Sequence, residues 1–283
     1  MAPPTRHIST RSIVAVRGNA LEVRTDRVVG EAPLEIRAAG PGQEPVAVAV
    51  TMRTPGFEDE LAVGFLCTEG LIEGTEFVSA STGDPRLLNQ PDDTIVIRLS
   101  RPFDSSAVAE RHFVATASCG ICGKASIDEI AVRCDPLPEG PVVPRTVILA
   151  LPDLLRAAQR AFDETGGLHA AALFSPTGEL LAIREDVGRH NALDKLIGSR
   201  LLAGELPLHD RILMVSGRVS FEIVQKAAVA GVPIICAVSA PSDLAVETAD
   251  RLGVTLIGFL RGDGFNVYTH DGRVELRDLT GWG

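Results

Sequence analysis

Long hydrophobic runs are missing from this chain. Its most apolar stretch, VPIICAVSA at 232–240, falls well short of the ~20 residues that a membrane-spanning helix needs. The first residues, MAPPTRHISTRSIVAVRG, carry Arg6, Arg11 and Arg17 but no apolar core of signal-peptide length. These two absences lead us to expect a cytoplasmic protein with no membrane partner. An excess of positive charge is also lacking. The net charge is −10, so nucleic-acid binding through bulk phosphate neutralisation is not expected. A local basic pocket for a small anion stays open, because net charge does not fix local field. Cysteine is scarce: five in 283 residues, odd in number and scattered, which is no disulfide framework. Internal repeats and low-complexity tracts are absent. What is there is an ordinary globular composition, 45% hydrophobic and 23% charged, long enough for one large domain or two lobes.

The opening residues read as strands. SIVAVRG, LEVRTDRVV, PLEIRAA and PVAVAVTM are short, rich in valine and isoleucine, and alternate apolar with polar. Thr54-Pro55 has the form of a helix start, threonine as N-cap and proline in the first turn. The helix is expected to run to about Thr68 with Phe57, Leu61 and Phe65 on one face. TIVIRLS (94–100) is a further strand, and 105–118 has a helical pattern that delivers the chain to ASCGICGK (117–124). Gly120 and Gly123 would break that helix, placing Cys119 and Cys122 on a loop. CDPLPEGPVVP (134–144) holds four prolines and reads as a linker. It divides the chain into a strand-rich lobe, 1–140, with one or two helices, and a second lobe, 141–283.

In the second lobe Pro152 is expected to open a helix with Leu155, Ala158 and Phe162 on one face. A hairpin over 169–186 turns at Pro176-Thr177-Gly178, and a helix follows with Leu193, Leu196, Ile197 and Leu201 inward. Then comes strand 211–216, helix 218–231, strand 232–239, helix 242–253 and strand 254–260. The strands are apolar at nearly every position, which marks a βαβαβ parallel core buried on both faces of an α/β fold.

Ligands of open parallel sheets bind at the carboxyl ends of the strands. Here those ends read Ser216-Gly217-Arg218, Ser239-Ala240-Pro241-Ser242 and Phe259-Leu260-Arg261-Gly262-Asp263-Gly264. Helix N-termini there offer free N–H groups to phosphate. Arg218 and Arg261 can add bidentate contacts, Gly262 and Gly264 permit close backbone approach, and Asp263 can accept from the N–H groups of a guanine. Ordinary turns use the same residue types. REDVGRHNALDK (184–195) crowds polar groups at a helix start, with Asp186 as candidate N-cap. A solvated face accounts for the residues from Asp194 on, whereas Arg189 and His190 suit an anionic ligand.

Cys119 and Cys122 admit three chemistries. Zinc needs about four ligands, but the next cysteine is Cys134, and His112 or His169 would have to complete the set. A deaminase zinc site is disfavoured, because alanines follow His169 and serine precedes Cys119; no metal is expected. A dithiol switch would sit at a helix start directly after a strand, whereas a helical pattern precedes this pair. A sulfur carrier needs an accessible thiolate able to take sulfane sulfur by displacement. Lys124, and Arg111 if folded nearby, would stabilise that thiolate.

Five blocks in order, CGICG (119–123), EDVGRHNALDK (185–195), SGRVSFEIVQKAA (216–228), AVSAPSDLAVE (237–247) and GFLRGDGFNVYTH (258–270), together resemble the FdhD/NarQ family of formate dehydrogenase accessory sulfur carriers. TPGFEDELAVGFLCTEGLI (54–72) looks like that family's N-terminal lobe, and the resemblance spans roughly residues 30–270. Arg184 departs from the histidine common in relatives. The resemblance implies a cytidine-deaminase-like three-layer C-terminal lobe, a homodimer, and sulfur transfer from a cysteine desulfurase to the bis-molybdopterin guanine dinucleotide form of the molybdenum cofactor, for formate dehydrogenase. By similarity Cys119 bears the persulfide and Cys122 is its partner. Phe259, Leu260, Arg261, Gly262, Asp263 and Gly264 match the cofactor-binding segment, so a guanine nucleotide should mimic the cofactor there. Cys67, Cys134 and Cys236 match no functional position, and Cys236 reads as core packing. The rival expectations are a cofactor-binding chaperone with incidental cysteines, and a dithiol oxidoreductase.

Overall fold

The computed structural model describes residues 8–82, 93–106, 108 and 134–276. Cys119, Cys122, Lys124, Arg111 and most of the helix expected over 105–118 lie outside the described residues.

The expected strands form. β1 (Ile8–Arg17) and β2 (Ala20–Val29) pair as an antiparallel hairpin. Val14, Val16, Leu21 and Val23 pair across it and are well exposed. β3 (Ala32–Ala39), β4 (Val46–Arg53), β5 (Phe77–Thr82) and β6 (Thr94–Leu99) make a four-stranded sheet in the order β4-β3-β6-β5, with β3 and β6 parallel. Helix α1 (Glu58–Thr68) packs Leu61, Phe65 and Leu66 onto Leu34, Ile36, Ile95 and Ile97 of this sheet.

The start of α1 differs from the expectation. The helix begins at Glu58, and its N-cap position is Phe57 at φ 59°. Thr54 is engaged elsewhere: its N–H donates to Asp186 Oδ2 (3.0 Å) and its Oγ1 accepts from the N–H of Val187 (3.1 Å). Phe57 therefore leaves the helix face, and its ring lies 4.5 Å from the Arg184 guanidinium.

Residues 134–142 carry no regular structure before β7 (Val143–Pro144), which pairs with β14 (Val274–Glu275). Helix α2 (Arg145–Ala158) contains Pro152 in its interior rather than at its start. Proline forfeits one i→i−4 hydrogen bond, and complete burial of Ile148, Leu151 and Leu155 holds the helix despite it. The chain breaks at Gln159, so Phe162 belongs to the short α3 (Arg160–Thr165) and not to the face of Leu155 and Ala158.

The larger sheet has six strands in the order β13-β12-β11-β10-β8-β9. β8 (His169–Phe174) and β9 (Leu180–Asp186) are the expected hairpin. After α4 (Arg189–Leu202), β10 (Ile212–Val215), α5 (Phe221–Val229), β11 (Ile234–Ala237), α6 (Asp243–Arg251) and β12 (Thr255–Arg261) follow as βαβαβ. β10, β11 and β12 are parallel, while β8 and β13 (Gly264–Thr269) flank them antiparallel. Alternate strand residues serve opposite faces, as the pleat requires. Leu213, Val215, Ile235, Ala237 and Leu256 pack with α4, α5 and α6, whereas Ile212, Met214, Ile234, Cys236 and Ile257 pack with α2. The result is an α/β fold of three layers. No helix among the described residues is long and apolar enough to cross a membrane.

The two sheets meet through α1 and α4. A Cβ on Gly64 would sit 1.9 Å from the Asp194 carbonyl oxygen, and one on Gly198 would sit 1.9 Å from that of Glu60. Only two glycines let these backbones touch. Two buried charge clusters flank the crossing. Asp186 accepts from Lys195 Nζ (2.6 Å), the Gly188 N–H (2.8 Å) and Asn191 Nδ2 (3.2 Å), and Lys195 also donates to the Thr54 carbonyl (2.7 Å). Lys226 bridges Asp194 (3.0 Å), Glu69 (2.9 Å) and Thr68 Oγ1 (2.9 Å). Two expectations are corrected here. Asp186 is not the N-cap of α4, a position Gly188 occupies. Asp194 and Lys195 are not on a solvated face: each is 1% exposed.

Candidate functional site

The carboxyl ends of β10, β11 and β12 form one continuous rim. β10 leads into Ser216, whose N–H donates to the Ala170 carbonyl (3.0 Å) and whose Oγ accepts from the Ala170 N–H (2.9 Å). The β10 and β11 loops are stitched together, since Val219 N–H donates to the Ala240 carbonyl (3.2 Å) and Ser242 N–H to the Val219 carbonyl (3.0 Å). Ser242 Oγ caps α6 by accepting from the Ala245 N–H. The Ser239 carbonyl accepts from the Phe259 N–H (3.2 Å), which joins β12 to the same edge. Pro241, Tyr268 and Ser239 close over Gly258 so tightly that any Cβ there would lie within 3.2 Å of all three.

β12 then continues past the edge as a hairpin into β13. Arg261 pairs with Gly264 across the two-residue turn Gly262-Asp263. Gly262 has φ 59°, and the first position of such a turn favours glycine for that reason. Arg261, Gly262, Asp263 and Gly264 are all exposed. Phe259, at φ 53° and 38% exposed, turns outward, and the Arg261 guanidinium lies 5.9 Å from its ring centre. Leu260 points the other way and is fully buried against the α2 layer. Of the segment expected to touch a cofactor, Leu260 can therefore contribute only backbone. An exposed aromatic ring, a guanidinium and a carboxylate on one hairpin can stack on and hydrogen-bond to a flat base.

β9 brings the second motif to the same rim. The turn held by Asp186 starts α4 at Arg189 and His190. His190 Nε2 lies 3.2 Å from Ser220 Oγ and 3.6 Å from Glu222 Oε2 at the start of α5. Burial would raise the Glu222 pKa, but the hydrogen bonds from His190 and Ser220 and the His190 charge bring it down to about 2. Arg189 reaches over Gly217, its Cδ 3.9 Å from where a Cβ would stand, and its Nε is buried with no hydrogen-bond partner. Arg218 is exposed beside it. Ser216, Arg218, Ser239, Arg189, His190 and the 259–264 hairpin thus share one sheet edge. Its guanidinium groups and strand-end loops suit an anionic ligand.

Sequence reasoning missed two groups there. Glu222 was passed over as a helix residue, although its position just after Ser220 on an α5 that starts at the rim could have flagged it. His169 was weighed only as a zinc ligand. It stands at the rim because β8 pairs with β10, a contact between strands distant in sequence. Among the described residues no three His, Cys, Asp or Glu side chains stand where they could hold a metal ion.

Three of the five cysteines are described, and all are poor nucleophiles. Burial pushes the Cys67 thiol up to about 11, and it raises Cys236 and the half-buried Cys134 as well. Arg184 is committed to an ion pair with Glu60 and to the Phe57 ring.

Comparisons with known proteins agree along the chain. The profile of the FdhD/NarQ family matches residues 29–275. The chain is 46% identical over 278 residues to the sulfur carrier protein FdhD of Streptomyces avermitilis, covering 94% of this chain and 95% of that one. It is 44% identical over 263 residues to the protein of the same name from Sulfurisphaera tokodaii, covering 93% and 97%. A crystal structure of a protein assigned as a formate dehydrogenase accessory protein, from Desulfotalea psychrophila, superposes with a TM-score of 0.71 at 23% identity, covering 95% of this chain and 100% of that one. At that identity it bears on the fold alone. With a family profile matched over most of its length and curated relatives matched nearly end to end, the chain belongs to the FdhD/NarQ family.

Proposed function

We propose that this protein is a sulfur carrier acting through a persulfide on Cys119. The Cys119 thiolate attacks the terminal sulfur of a cysteine desulfurase persulfide, and the donor cysteine leaves as a thiolate. The sulfur then passes to the molybdenum cofactor in its bis-molybdopterin guanine dinucleotide form, which is the substrate, before that cofactor enters formate dehydrogenase. Cys122 assists or resolves the persulfide. The carrier works in the cytoplasm as a homodimer.

The observation that carries this reading is the near full-length match to relatives named sulfur carrier protein. The thiol chemistry of the described residues supports it. Sulfane transfer needs an accessible, ionisable thiol. Cys67 and Cys236 are buried with raised pKa values, and Cys134 is shifted the same way. Cys119 and Cys122 are the remaining pair. The rim supports the second half of the reading: Phe259, Arg261 and Asp263 suit a guanine, and Arg189, His190 and Arg218 suit its phosphates.

Incubation with a cysteine desulfurase and cysteine tests the first step. The wild-type chain is expected to gain about 32 Da, one sulfur atom, reversibly by dithiothreitol. Cys119→Ala is expected to gain none. Equal uptake by Cys119→Ala would reject Cys119 as the carrier.

A further inference from the structure

We propose that His169, Arg189 and the backbone at Gly217 form a phosphate subsite on the rim, in which His169 is a direct ligand contact. This deepens the guanine-dinucleotide reading above and rests on it for the natural ligand. The subsite is defined by a gap that the sequence keeps open. A Cβ on Gly217 would stand 3.3 Å from His169 Nδ1, 3.5 Å from His169 Cε1 and 3.9 Å from Arg189 Cδ. Glycine leaves a shallow cradle at that point, walled by an imidazole and a guanidinium stem. No positive φ is recorded for Gly217, so backbone conformation does not demand glycine there.

One buried donor beside the cradle lacks a partner. Arg189 Nε is buried without a hydrogen bond, and an unsatisfied buried donor is costly unless a ligand completes it. The charges are also one-sided. His169 is half-buried, and its pKa is depressed first by that burial and then by the nearby Arg189 and His190, with Asp186 opposing. Asp186 is already consumed by Lys195, Gly188, Asn191 and Thr54, and Glu222 by His190 and Ser220. The cradle therefore carries uncompensated positive charge, with Arg218 exposed at its edge. A tetrahedral dianion fits both the shape and the charge: one oxygen can accept from Arg189 and another from His169.

Binding of an anion favours protonated imidazole, which raises the His169 pKa. Phosphate affinity should then increase as pH falls through the histidine range, with proton uptake at His169. The His190 ring lies nearby, against Ser220 Oγ and Glu222, so the two histidines must be read separately.

Calorimetric titration of the full chain with guanosine diphosphate, pyrophosphate and guanosine tests this, with histidine Cε1–H NMR to follow each ring. Guanosine diphosphate should bind at least about tenfold tighter than guanosine. Gly217→Ala, which fills the cradle, and His169→Gln, which removes the titrating group, should each weaken guanosine diphosphate about tenfold and leave guanosine unchanged. In wild type the His169 resonance should show its depressed pKa rising when guanosine diphosphate or pyrophosphate binds, and the pH dependence of binding should flatten in His169→Gln. Thermal melts confirm that both variants fold; should either fail to, the wild-type His169 titration still decides. Unchanged guanosine diphosphate affinity in both variants, or a His169 resonance blind to pyrophosphate, overturns the subsite. Equal binding of guanosine and guanosine diphosphate overturns it too, but leaves the guanine reading standing. Pyrophosphate bound as tightly as guanosine diphosphate, with guanosine not bound, upholds the subsite and removes the guanine reading. Binding of none of the three overturns both.

Discussion

Gly198→Ala should destabilise this protein, although helix propensity alone argues for the opposite sign. Gly198 lies inside α4, where replacing glycine by alanine ordinarily gains about 1 kcal/mol. Here the new Cβ would meet the Glu60 carbonyl oxygen at 1.9 Å, its carbon at 2.7 Å and the Glu60 Cα at 3.0 Å. All three are backbone atoms of α1, so no side-chain rotation relieves the clash. Restoring an ordinary 3.4 Å contact requires a separation of 3.4 − 1.9 = 1.5 Å. Overpacking commonly costs ~1–3 kcal/mol, and a backbone clash belongs at the top of that range. The displacement also strains the hydrogen bonds from Lys195 and Lys226 that flank the crossing. Set against the helix gain, the net loss is about 2 kcal/mol, which corresponds to a fall in Tm of roughly 4–8 °C for a chain of this size. Urea denaturation of Gly198→Ala beside Gly74→Ala is the assay. The nearest atoms to a Cβ on Gly74 belong to the Leu201 side chain at 3.6 Å, so that variant should stay near wild type. Gly198→Ala equal to or more stable than wild type would refute the close crossing of α1 and α4.

Other expectations follow from the same contacts. Lys195→Met leaves Asp186 buried and unpaired and should cost about 3–5 kcal/mol, while the double variant with Asp186→Asn should cost less than the sum, read by a double-mutant cycle. Glu222, held at about 2 in the fold, contributes stability that is fully present above its ordinary 4.5 and is lost as pH falls toward about 2; Glu222→Gln should flatten that part of an acid-denaturation curve. Cys67 and Cys236 should resist iodoacetamide in the native state at neutral pH and react once urea unfolds the chain, as thiol counting by mass will show. Arg261→Ala and Asp263→Asn lie on an exposed hairpin, so each should weaken guanosine diphosphate binding while leaving Tm within about 1–2 °C of wild type, the scale of a surface substitution.

The βαβαβ core was legible because its signal is local: β10, β11 and β12 are apolar at nearly every residue and the helices between them carry their own patterns. The antiparallel flanks were not, because β8 pairs with β10 and β12 with β13 by rules that periodicity does not encode. The helix starts failed for a different reason. Thr54 and Pro152 have the right chemistry for a first turn, but tertiary contacts recruited Thr54 to Asp186, and burial carried α2 straight through Pro152. Asp194 and Lys195 read as a solvated face because charge is usually solvated; they are instead buried in ion pairs with Lys226 and Asp186 and bond across the sheet junction to Thr68 and Thr54, which only the fold reveals. At the rim, Ser216, Ser239 and the 259–264 hairpin were found from strand ends alone, whereas His169 and Glu222 needed the third dimension.

The most direct test of the central claim follows the sulfur itself. The chain is loaded with labelled sulfur by a cysteine desulfurase, freed of donor, and mixed with the guanine-dinucleotide molybdenum cofactor; label is then measured on protein and on cofactor after separation. Movement of the label from wild-type protein to the cofactor, with no label to move in Cys119→Ala, is the expected result. Label that remains on the protein in the presence of the cofactor, or that reaches the cofactor equally through Cys119→Ala, would contradict it.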